Sequence, residues 1–315
     1  MSNDFPEKVG PYSIIDKIGE GPNGEVFKAW DEGQQRTIAV KRLRAELTVS
    51  STFQNQSLKT IELIREIESP HLGTTATLGE FDGRLVLTGD YIDGSTLDEV
   101  AVKLVDNTRF LVLAEKMVAG LKEIHDQKLV HGNLKPSNIM IGDNDSVRLI
   151  DYGFPVHFDL EKLPDGEVGD GSLQYLAPEI LNGEPPTRAT DLYSVGVMLY
   201  FLAAGHLPFT TKTNRQMIST ILFTSPDFKA LEKRGIPGDT ILLVEKLLSK
   251  KPDDRFDSAG ELLITIEAMT RFNREMKGKS EPILRRQLSA RSYLVVSAAT
   301  VVIFLLWYIV SASLR

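Results

Sequence analysis

The run Ile18-Gly19-Glu20-Gly21-Pro22-Asn23-Gly24-Glu25-Val26 carries three glycines at the spacing G-x-G-x-x-G. Without a Cβ at those positions, backbone amides can approach phosphate oxygens closely. Dinucleotide sites share the spacing, but they need a helix directly afterwards, so that its N-terminus meets the pyrophosphate. Here alternating, strand-like sequence follows, and a glycine-rich hairpin covering phosphates fits better. Ala39-Val40-Lys41 lies on the third such strand, where a lysine could reach those oxygens. Farther on come His131-Gly132-Asn133-Leu134-Lys135-Pro136-Ser137-Asn138, then Leu149-Ile150-Asp151-Tyr152-Gly153, then Tyr175-Leu176-Ala177-Pro178-Glu179. Asp191-Leu192-Tyr193-Ser194-Val195-Gly196 and Arg255 follow.

These residues need elements to hold them. Residues 12–45 alternate apolar and polar around glycines and read as three strands joined by turns. Residues 52–68 carry a helical period through Leu58, Ile61, Ile64 and Ile67. Two more strands are predicted at Thr75–Phe81 and Arg84–Tyr91, joined by Asp82-Gly83, a hairpin turn signal. After Gly94 the character turns helical, beginning with an amphipathic stretch over 109–126. A small β-rich lobe is thus expected before a larger α-rich one, with the hinge near Tyr91–Leu97. No internal repeat is present.

The 315 residues are 42% hydrophobic and 25% charged, and none is cysteine. A disulfide framework, a thiolate metal site and a cysteine nucleophile are therefore excluded. Residues 1–270 hold 28 Lys/Arg against 41 Asp/Glu, a surface that repels nucleic-acid phosphates. The tail is opposite in sign, with 8 basic and 2 acidic residues over 271–315. Ser292 to Leu314 is free of formal charge for 23 residues. About 20 helical residues cross the ~30 Å hydrocarbon layer, and Trp307-Tyr308 suit the far interface. Arg271, Arg274, Lys277, Lys279, Arg285, Arg286 and Arg291 precede the span and only Arg315 follows it. The expectation is a basic linker over 271–291 and a single membrane helix over 292–314, with everything N-terminal on the cytoplasmic side and no domain on the far side. The polar, acidic start, Met1 to Glu7, does not read as a secretory signal.

Taken in order, the motifs resemble those of the protein kinase superfamily, most of all bacterial transmembrane Ser/Thr protein kinases. The resemblance covers residues 12–270 and implies an α+β, bilobal fold, with an N-lobe over 12–91 and a C-lobe over 97–270. It also implies roles. Gly19, Gly21 and Gly24 would cover the phosphates of ATP, and Val26 and Ala39 would be further ATP-binding residues. Lys41 would pair with the α and β phosphates. Asp90 to Ile92 would form the hinge against adenine, behind Gly89. Asn138 and Asp151 would hold Mg²⁺ or Mn²⁺ through hard oxygen ligands. Glu179, Asp191 and Arg255 would tether the large lobe, and His131 and Tyr152 would pack between the lobes.

Three departures from the family pattern stand out. The catalytic loop should read His-Arg-Asp, and it reads His131-Gly132-Asn133. An amide at Asn133 can accept a hydrogen bond beside Lys135, but it lacks the basicity and charge of the aspartate that takes the substrate proton. The arginine that reads a phosphorylated activation loop is Gly132, and residues 153–171 contain no Ser, Thr or Tyr. The glutamate partner expected for Lys41 falls in register on Thr60, leaving Glu62, Glu66 or none. The expectation is a membrane-anchored, ATP- and Mg²⁺-binding pseudokinase with weak or absent transfer to protein Ser/Thr. The alternatives are an active Ser/Thr kinase with an atypical loop, and a tether that binds no nucleotide. Its protein substrate or partner is unidentified, a second copy of the chain is left open, and the bilayer is engaged through 292–314.

Overall fold

Alternation along the first ninety residues does produce a sheet. The computed structural model describes residues 5–21, 23–48, 51–65, 67–101, 106–152 and 172–276. Its sheet contains β1 (Lys8–Val9), β2 (Tyr12–Gly21), β3 (Gly24–Asp31), β4 (Arg36–Leu43), β5 (Thr75–Phe81) and β6 (Arg84–Asp90). All neighbours are antiparallel, in the order β1-β2-β3-β4-β6-β5. The inward residues Val9, Phe27, Ala29, Ile38, Val40 and Val86 form one buried cluster, and Tyr12 meets Phe81 edge-on at 6.1 Å. The Asp82-Gly83 turn has φ of 52° and 68°, the sign that suits the twist of a two-residue hairpin.

Some boundaries differ from expectation. β6 stops at Asp90, so Tyr91 belongs to the connection. The helix expected over 52–68 ends earlier. It forms α2 (Ser51–Arg65), preceded by the short α1 (Ala45–Thr48), and Ile67 lies outside it. Pro70 follows within a few residues, and chain before a proline is biased away from helix.

The larger lobe opens with β7 (Ser95–Thr96), α3 (Leu97–Ala101) and α4 (Asn107–Asp126). α4 starts where it does because the Asp106 carboxylate accepts from the amides of Thr108 and Arg109, at 2.7 and 3.0 Å. β8 (Ile139–Ile141) pairs with β7 on one side and with β9 (Val147–Leu149) on the other in a small second sheet. Then come α5 (Pro178–Leu181), α6 (Arg188–Ala204), α7 (Asn214–Phe223), α8 (Lys229–Lys233) and α9 (Gly238–Leu247). α6 is buried nearly all round, from Thr190 to Ala204, as expected of a helix whose sequence is apolar on every face. A last helix runs over 259–276.

The chain divides into two units, Met1–Ile266 and Glu267–Arg315. Among the described residues no helix is long and apolar enough to cross a membrane. The expected span 292–314, the linker from 277 on, the loop 153–171 and Glu66 lie outside the described residues.

Lys250 gives the large lobe a testable pH dependence. Its ammonium donates to the Ile221 carbonyl at 2.6 Å and lies 4.5 Å from the Phe209 ring centre. Burial, with Arg255 nearby, pulls its pKa down to about 8 from 10.5. Over that window the unfolded chain holds more protons than the folded one, so this lysine makes stability rise with pH. The urea midpoint should therefore gain more between pH 8 and 10 in the parent chain than in Lys250→Met. Equal gains would show that the buried ammonium carries no penalty.

Candidate functional site

The hairpin between β2 and β3 forms one wall of a cleft of about 450 Å³ between the lobes. Gly19 pairs with Val26 and Gly21 with Gly24 across it. Two arginines of β4 and the residues after it brace the hairpin. Arg42 meets Glu25 at 2.5 Å, while Arg44 donates from its side chain to the Gly21 carbonyl at 3.2 Å and from its amide to Asn23 at 3.0 Å. Lys17 joins Glu20 at 2.7 Å and Glu25 at 3.0 Å. Arg42, and then Lys17, hold the Glu25 carboxyl below the usual range.

Gly24 has φ of 150°, and a Cβ there would stand 2.1 Å from the Arg42 carbonyl oxygen. Backbone cannot yield as a flexible side-chain tip can. Gly24→Ala should therefore cost about 1–3 kcal/mol of stability and weaken binding of any ligand under the hairpin. Thermal melts with and without nucleotide test this, and an unchanged melt would mean that the hairpin relaxes freely.

β4 places Lys41 opposite Val26 on one side and Leu87 on the other, and sets Ala39 opposite Gly89. The Lys41 ammonium donates to Asp151 Oδ2 at 2.5 Å. Asp151 has φ of 60°, a sparsely populated conformation for a residue with a side chain. Burial pushes its carboxyl up, but the charge and hydrogen bond of Lys41, helped by His131 and Lys135, outweigh burial and hold it low. Glu62 is exposed and Thr60 half-buried, so Asp151 is the partner of Lys41 among the described residues. At the hinge, Asp90 gives its carboxylate to Arg36 at 2.7 Å and its amide to the Thr74 carbonyl at 3.1 Å. Asp90 therefore reaches the cleft beside Ile92 without offering a free acid to it.

The loop 131–138 is held from beneath. Asp191 on α6 is 1% exposed. Its carboxylate accepts from the amides of His131 and Gly132 at 2.8 and 2.9 Å and meets His125 Nε2 at 2.9 Å. Gly132 has φ of 70°. Asn138 donates its side-chain amide to the Asn133 carbonyl at 2.7 Å, and Lys135 donates to Ser172 Oγ at 2.9 Å. His131 is fully buried against Tyr152, with ring centres 6.1 Å apart, and burial pushes its pKa down. It is a packing group.

A second cavity of about 340 Å³ lies on the other side of the loop, beside Leu176 and Pro185. Asn133, Lys135 and Ser172 line both cavities. The two cavities thus meet at one loop. The model of the protein kinase domain matches residues 12–264. The chain belongs to the protein kinase family.

Among curated relatives, this kinase domain is 27% identical over 257 residues to the serine/threonine-protein kinase PknH of Mycobacterium bovis, covering 81% of this chain and 43% of the relative. It is 25% identical over 293 residues to the serine/threonine-protein kinase PknD of Mycobacterium tuberculosis, covering 91% of this chain and 44% of that one. The chain therefore spans less than half the length of these relatives. The crystal structure of the Mycobacterium tuberculosis PknI kinase domain superposes with a TM-score of 0.66 at 20% identity, covering 83% of this chain and 97% of that one. The shared feature there is the bilobal fold.

The kinase cleft gathers every residue expected at it: Gly19, Gly21, Gly24, Val26, Ala39, Lys41, Asp90, Ile92, Asn133, Lys135, Asn138 and Asp151 all line it. The donor chemistry fits a hard divalent cation. Asn138 spends its amide nitrogen on Asn133, so its oxygen is the end left to a cation beside the Asp151 carboxylate. Among the described residues no cluster of three His, Cys, Asp or Glu side chains offers a rival metal site. Sequence reading missed Ser172 as the partner of Lys135, and missed the Arg42–Glu25 and Arg36–Asp90 pairs. Glu25 and Arg42 stand directly opposite on β3 and β4, and opposite charges facing across a hairpin were a legible signal.

Proposed function

We propose that this kinase domain binds ATP with Mg²⁺, transfers phosphate weakly or not at all, and works as a membrane-tethered pseudokinase through its shape. The observation that carries the reading is the neutral amide of Asn133 at the junction of the two cavities, where the family places a proton acceptor. The nucleotide side is equipped: glycine hairpin, Lys41, Asn138 and Asp151. Lys41 would bind phosphate oxygens, Asp151 and Asn138 would hold the cation, and the cation would neutralise phosphate charge. At the acceptor hydroxyl, Asn133 can orient through a hydrogen bond but cannot take the proton. The uncharged run 292–314 would anchor the chain, with the basic residues before it keeping the kinase domain on the cytoplasmic face.

A second reading, an active Ser/Thr kinase, draws support from the Lys135–Ser172 contact, which keeps a cation beside the acceptor cavity. Full-length protein with labelled ATP, Mg²⁺ and a basic acceptor protein separates the two. Label transfer at ordinary kinase rates that vanishes in Asp151→Ala would establish the active enzyme. Thermal shift tests the shared premise. Mg-ATP at ~100 times its Kd should add about 2.7 kcal/mol, and Lys41→Met should remove most of that gain. No shift in the parent chain would leave only a tether.

A further inference from the structure

The helix over 259–276 carries a division of character in the second unit, over residues 267–276. Ala268, Phe272 and Met276 recur at intervals of four, and Met269 joins Phe272 and Met276 at i, i+3, i+7, which places the four on one face. Phe272 is 59% exposed and Met276 48%, and Ala268 is exposed beside them. The charged residues Glu267, Arg271 and Arg274 take the opposite side and are exposed too. Glu275, exposed as well, borders the face beside Ala268, and the four charges sum to zero. The fifteen residues that follow do not balance: Lys277, Lys279, Arg285, Arg286 and Arg291 face only Glu281.

We propose that the Met269–Phe272–Met276 face lies in the headgroup layer of an anionic bilayer, held there by the basic run behind it. The inference rests on reading 292–314 as the membrane span. If that span is inserted, residues 277–291 reach at most ~50 Å even when fully extended, so the face is tethered beside a lipid surface. An aromatic and a thioether side chain exposed on one side of a helix match the headgroup–acyl boundary, and five cations match anionic headgroups within a screening length. A second copy of the chain suits the face less well, because pairing would bring the two basic runs together.

The chain has no cysteine, so single labels can be placed cleanly on the full-length protein. A polarity-sensitive fluorophore on Ala268→Cys should be quenched by lipid-borne quencher several-fold more in phosphatidylcholine–phosphatidylserine nanodiscs than in phosphatidylcholine discs. The same label on Glu267→Cys should change little, and adding Phe272→Asp to Ala268→Cys should return its label to water. A label that stays in water in anionic discs, or is buried equally in both lipids, overturns the proposal. Burial that appears in detergent and rises with protein concentration marks a second copy and also overturns it. A label on Leu305→Cys separates the premise. If it escapes an acyl-chain quencher the span reading fails, whereas quenching at 305 with water at 268 defeats the headgroup contact alone.

Discussion

Replacing Asn133 by aspartate should raise phosphoryl transfer by about 10²–10⁴-fold, the ordinary worth of general acid–base catalysis. In barrier terms that is roughly 3–5 kcal/mol. The substitution is nearly isosteric, and the contact made to Asn138 uses the backbone carbonyl of Asn133, which it leaves in place. Lys135 stands on the same cavity wall to balance the new charge. Single-turnover transfer of label, compared between parent and Asn133→Asp at saturating Mg-ATP, measures the effect. A gain below ten-fold would place the defect elsewhere, in the cation site or in acceptor binding, and remove Asn133 from the centre of the account.

Glu179→Gln should cost about 3–5 kcal/mol of stability, the usual loss when one partner of a buried ion pair is removed. The Arg255 side chain is 0% exposed and that of Glu179 5%. All five guanidinium N–H groups are engaged. Nη1 donates to Glu179 at 2.6 Å and to Ala189 at 2.8 Å, Nη2 to Glu179 at 2.8 Å and Lys250 at 3.2 Å, and Nε to Ser249 at 2.9 Å. The glutamine amide leaves the arginine charge without a counter-ion where water cannot replace it, and turns an N–H toward an N–H. At ~2–4 °C per kcal/mol for a domain of this size, the melting temperature should fall by roughly 10 °C. A drop of a degree or two would mean that the cavity rehydrates.

Much of this was legible in the chain because it depends on local pattern. Alternation gave β5 its ends, Thr75 and Phe81, without adjustment, since a half-buried strand repeats every two residues. The site residues were legible through ordered motifs. What the chain hides is pairing at distance. Lys41 and Asp151 are 110 positions apart, Arg36 and Asp90 54, and Lys135 and Ser172 37, and no local periodicity encodes who meets whom. The end of α2 was misjudged because Ile67 continued the apolar spacing while the approach to Pro70 favoured extended chain.

The Asp191 carboxylate grips the loop 131–138 by its backbone. Two of the donors it receives in the loop are main-chain amides, and a main-chain amide is common to every residue but proline. Curvature at 131–132 is consequently held by the helix below it, and swapping what projects from Asn133, the next residue, alters reactivity without reshaping the turn. A loop held this way lets the group at 133 change by a single atom while its frame stays in place.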